Sequence, residues 1–185
     1  MSFQCRAAKR ARHPPMPTPY KLTYLKPTMP DVYTFVTAGP FSRSAHVYRG
    51  SFTSSSQTSR MQPAYEANIS HSHSDISVKS VASARTIIAG HYKGFTRRRA
   101  VVHWSNKAAQ LERTDPFFEG WTIHDFQGRR YTWKVGFTKV KVIAVFDRAM
   151  LNMILIGRLS ILQPVSEEFL AIIILSTRIV HISIK

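Results

Sequence analysis

The sequence predicts a mainly β domain, an antiparallel barrel or sandwich that encloses one hydrophobic C-terminal helix and follows a disordered N-terminal tail. Three observations carry this. Short segments of β-forming residues recur every 10 to 15 residues between positions 31 and 164. An almost uniformly apolar run follows a pair of acids near the end of the chain. The first 30 residues hold prolines at 14, 15, 17, 19, 27 and 30 and no acid. A length of 185 residues suits one domain with room for a core.

The tail comes first. Proline at that density denies both helix and sheet, so residues 1–30 are expected to be disordered or polyproline-like. VYTFV at 32–36 and AHVYRG at 45–50 flank the turn-forming TAGPFSRS and read as a hairpin with a longer loop. Residues 51–85 are crowded with serine and read as a low-complexity loop inserted in the domain. RTIIAGHY at 85–92, RRAVVHW at 98–104 and WTIHDF at 121–126 read as strands. DFQGRRY at 125–131 is expected to turn at Gly128 with positive φ. RRYTWKV at 129–135 then alternates, placing Tyr131, Trp133 and Val135 on one face and Arg130, Thr132 and Lys134 on the other. In KVKVIAVF at 139–146, Val140, Val142 and Ala144 are expected to share the inner face, with Lys139 and Lys141 opposite. GRLSILQP at 157–164 is the last strand, closed by Pro164. Regular short strands with Gly or Asp at the joints are the pattern of an antiparallel sandwich or barrel.

The final segment changes character. Ser166 is an N-cap candidate, and Glu167 and Glu168 complement a helix dipole in the first turn. FLAIIILSTRIV is apolar nearly all round, so a helix there must be buried. Its β-branched residues equally permit a buried strand, and periodicity does not decide. The cap and the acids favour a helix over 166–180.

Taken together, VYTFVTAGPF, HVYRG, AVVHW, FQGRRYTWK, KVIAVFDR, GRLSILQP and SEEFLAIIILSTRIV resemble, in that order, a family of small fungal proteins of unassigned role. That family belongs to the tubby C-terminal-like group, with the LURP-one-related and phospholipid scramblase barrels as relatives. The resemblance covers about residues 31–182, and GRRYTWK with the terminal helix is its most specific part. It implies a β-barrel closed around one hydrophobic C-terminal helix, and it permits the phosphoinositide binding known of tubby-like domains. The chain departs from the family pattern in the short connection after Trp133 and in the serine-rich 51–85 segment.

Charge bounds the partners. The chain holds 26 Lys and Arg against 10 Asp and Glu, a formal +16, which favours anionic membranes, nucleic acid or acidic proteins. The excess lies early: residues 1–111 hold 16 basic residues and only Asp31, Glu66 and Asp75 as acids. KRAR at 9–12 has the composition of a nuclear localisation signal. Cys5 is the single cysteine, so no intrachain disulfide forms and a reducing compartment is favoured. The opening residues lack the apolar core of a signal peptide. FLAIIIL at 169–175 falls far short of the ~20 residues that span a bilayer. A cytoplasmic monomer, peripheral at membranes, is expected; a nuclear location is the alternative.

The basic side chains are the binding candidates. Lys93, Arg97, Arg98 and Arg99 flank one strand, and Arg129, Arg130, Lys134, Lys139 and Lys141 lie on the 125–135 hairpin and its neighbour. Side by side they would form a patch able to hold phosphates through charge-assisted hydrogen bonds. The alternatives are a nucleic-acid-associated protein using KRAR and the 97–99 arginines, or a structural member with no ligand. No enzyme, cofactor or metal is expected. His71, His73 and Asp75 have ligand-like spacing, but the segment is polar and loose. His103, His124 and His181 read as sheet or core histidines. No serine has a nucleophile-elbow frame, and no P-loop or GxGxxG occurs. Asn68-Ile69-Ser70 matches a glycosylation acceptor, which matters only in a secreted chain.

Overall fold

The computed structural model describes residues 2–7, 30–39, 42–70, 74–93, 98–113, 120–135, 142–149 and 154–183. Among the described residues twelve strands close into an antiparallel barrel around one helix. In chain order they are β1 (Ser2–Ala7), β2 (Asp31–Thr37), β3 (Ala45–Arg49), β4 (Tyr65–Ile69), β5 (Asp75–Ser80), β6 (Arg85–Lys93), β7 (Arg99–Trp104), β8 (Lys107–Arg113), β9 (Trp121–His124), β10 (Arg130–Val135), β11 (Val142–Arg148) and β12 (Leu155–Ile161), followed by α1 (Glu167–Ser183).

From β2 to β10 each strand pairs with the next, and the β11–β12 hairpin returns to β2. β1 fills the remaining gap between β10 and β11, antiparallel to both. The expectation of disorder from residue 1 is therefore corrected for Ser2–Ala7, which is a closing strand; residues 8–29 lie outside the described residues. Cys5 stands opposite both Trp133 and Ala144 and is fully buried. Nothing local stabilises so short a strand. Its pairing partners lie more than a hundred residues away, so only the closed barrel forms it.

The 51–85 segment also differs from the expected loop. It holds a short 3-10 turn at Ser55–Thr58, then β4, β5 and the start of β6. In DISVKS, Ile76, Val78 and Ser80 are buried while Asp75, Ser77 and Lys79 stand on the other face. Serine density hid a period of two. KAAQLER forms β8, a strand in a run of helix formers; Ala109 and Leu111 face the core, and cross-strand pairing overrides propensity. In β11, Ala144 lies inside with Phe146, but a bulge opposite Cys5 and Arg6 brings Ile143 inward as well. Val140, Lys139 and Lys141 lie outside the described residues.

A barrel of twelve strands is too wide for its own inward side chains to fill. α1 fills it. Phe169 and Ile172 to Leu175 are buried on every side of the helix, which explains a segment apolar nearly all round. The Trp133 indole N–H donates to Ser176 Oγ at 2.9 Å, tying β10 to the helix. Among the described residues no helix is long and apolar enough to cross a membrane.

Candidate anion-binding surface

Tyr131 and Trp133 are core residues, as the alternation of β10 requires. The charged side chains divide into two groups. Lys93 closes β6 directly opposite Arg99, which opens β7, and Arg98 precedes it; all three are exposed. Arg99 is held by Glu112 across the β7–β8 ladder, Nε to Oε1 at 2.8 Å. The second group is the β9–β10 turn. β7 and β10 are three antiparallel steps apart, so their first residues lie at opposite ends of the barrel. The structure thus does not bring Lys93, Arg98 and Arg99 together with Arg129 and Arg130. Arg97, Lys139, Lys141 and the Lys134 side chain lie outside the described residues.

The turn is built by Asp125. Its buried carboxylate accepts the N–H groups of Gln127 (2.9 Å) and Arg129 (2.8 Å), and Gly128 takes φ +73°. Such a side-chain-to-backbone turn is what Asp at this position is suited to form. The same carboxylate accepts Arg129 Nε at 2.7 Å, and this bond raises the guanidinium pKa above its ordinary value. Arg129 lies 5.9 Å from the ring centres of both Tyr131 and Phe169, the latter on the first turn of α1. It forms one wall of a pocket of about 380 Å³ with Tyr131, Gln163, Ser166 and Phe169. Arg130 is exposed, in register with His124.

Three residues near this turn are not among the sequence-predicted binding candidates. Trp104 and Phe126 meet with ring centres 5.7 Å apart, and Lys107 Nζ lies 5.6 Å from the Trp104 ring. Trp104 and Lys107 flank the two-residue Ser105–Asn106 connection, with Ser105 at φ +52°. The signal was a short turn, Ser-Asn, between two strand-length segments.

The polar interior carries a different constellation. Arg178 is buried, and its guanidinium donates from Nε to Arg43 O (2.7 Å) and from Nη2 to Ser42 O (3.0 Å). His181 is buried with its ring edge-on to Phe146, whereas His103 is exposed and stacks with His91 at 6.5 Å. Among the described residues no three His, Cys, Asp or Glu side chains are grouped to hold a metal ion; His71 and His73 lie outside them. Comparison with known proteins adds no relative: no protein-family model, no curated protein and no solved structure matches the chain.

Proposed function

We propose that the chain is a non-enzymatic barrel of the tubby C-terminal-like group that holds anionic phospholipid head groups on its outer surface. The helix-filled barrel is the architecture that the sequence resemblance implies. The observation that carries the reading is the occupied lumen: among the described residues α1 packs into the core, so a ligand is taken at the barrel's surface. Charge favours an anionic partner. Beyond the first 30 residues the chain holds 20 basic residues against 10 acids, and Lys93, Arg98 and Arg130 are exposed cations outside the described ion pairs. Each such cation near an anionic bilayer contributes about 1 kcal/mol at most, and less at high salt.

Co-sedimentation of the full chain with phosphatidylcholine vesicles carrying phosphatidylserine or a phosphoinositide at equal total charge tests the proposal. Binding to both, stronger for phosphoinositide, is the expected result. A folded protein that binds neither, but binds duplex DNA with a steep salt dependence, replaces the lipid reading with the nucleic-acid one.

A further inference from the structure

Two basic groups stand at opposite ends of the barrel, and one of them carries an aromatic pair. The β7–β8 and β9–β10 hairpins turn at the same end, where α1 begins. Trp104 at one turn packs against Phe126 at the other, so the two tips act as one surface. Both rings are only partly buried, their inner edges resting on the core. Trp121 and Trp133 are 2% and 1% exposed by contrast. Around the pair stand exposed Lys107, Arg129 and Arg130. The acids near this end are largely engaged. Asp125 is buried and bound to Arg129, Glu167 is paired with Arg85 and Asp31 with Arg49; Glu168 stands half-buried on the first helical turn.

The geometry points to these two hairpin tips as the membrane-docking face: Trp104 and Phe126 enter the interfacial layer of an anionic bilayer while Lys107 and Arg130 meet its phosphates, Arg129 being held by Asp125. The inference rests on the lipid reading and selects this end over the Lys93–Arg99 end. An indole has an apolar body and one polar N–H, which suits the boundary between head groups and acyl chains. A cation beside that boundary meets phosphate without burying its charge, at about fivefold in partitioning per residue. Hairpins tied into a closed barrel present both rings with little ordering cost. Beside the Lys93–Arg99 group the described ring pair is His91 with His103, two polar imidazoles, so that group offers attraction without insertion.

Tryptophan emission of the full chain is the direct readout, because Trp104 alone among the three tryptophans is open to a changed environment. Mixed phosphatidylcholine–phosphatidylserine vesicles are the probe, with pure phosphatidylcholine as control. A blue shift on the mixed vesicles, quenched by acyl-brominated lipid and lost in Trp104→Phe, is the expected result. Lys107→Glu with Arg130→Glu, both exposed and outside the described ion pairs, is expected to weaken partitioning at least tenfold with the circular dichroism melt unchanged, and Lys93→Glu with Arg98→Glu much less. Binding without quenching, or loss confined to Lys93→Glu with Arg98→Glu, overturns this face and leaves the lipid reading standing. No binding to the mixed vesicles overturns both.

Discussion

Arg178 Nε lies 2.7 Å from the main-chain oxygen of Arg43, so a buried cation at the far end of the helix clasps the β2–β3 loop. Arg178 forms no ion pair among the described residues, and burial alone lowers its pKa to about 10. It remains charged at neutral pH. Two carbonyl acceptors and the negative end of the helix dipole compensate for the lost water.

Arg178→Met keeps the apolar stem and leaves Ser42 O and Arg43 O without this donor. Relief of the charge burial offsets part of the loss, so a net destabilisation of about 2 kcal/mol is expected in urea unfolding. The loop at 42–44 becomes the first site of proteolytic cleavage. A variant as stable as the parent contradicts the clasp.

Alkaline pH acts on the opposite end. Burial, then neighbouring Tyr65, pushes Tyr33 up to about 12, and burial likewise raises Tyr65 and Tyr131. Their folded-state values exceed the unfolded value of 10.0, so the folded chain binds more protons above pH 10. Stability is level below pH 10 and falls as pH rises toward about 12. Arg178, with its lowered value, works against this trend above about pH 10, but three tyrosines outweigh one arginine. Tyr33→Phe reduces the slope measured by denaturant titration at successive pH values; an unchanged slope removes Tyr33 from the account.

The helix is the filling of the barrel, and Ile173 is at its centre with no exposed surface. Ile173→Asp buries an unpaired carboxylate at a cost of several kcal/mol, enough to unfold a domain of ordinary stability. Ser176→Ala is the milder companion. It strands the Trp133 indole N–H, and about 1–3 kcal/mol is the expected loss. Circular dichroism melts rank the two, and an Ile173→Asp protein that melts like the parent places the helix outside the barrel.

Much of this fold was legible in alternation alone. RRYTWKV told its inner face from its outer because Tyr131 and Trp133 are large and their neighbours charged. The helix was legible from a cap, two acids and an apolar run that only enclosure can explain. What escaped notice depends on distant partners. β1 is six residues long and borrows both neighbours from the other half of the chain. β8 is written in helix formers, and serine masked the period of β5. The basic residues were legible as charges but not as ion pairs. Glu112 and Asp125 neutralise Arg99 and Arg129 only because the ladder and turn place them there. The Trp104–Phe126 pair joins two hairpins 22 positions apart, which no local pattern encodes.

The barrel is closed by its N-terminal strand and filled by its helix. Cys5, the single cysteine, sits in that strand with no exposed surface. Its alkylation rate in native buffer reports on that closure. A closed barrel predicts that the thiol reacts only as fast as the chain unfolds, and promptly once denaturant is added. Prompt reaction in native buffer, at the rate of an exposed thiol, contradicts the closed barrel.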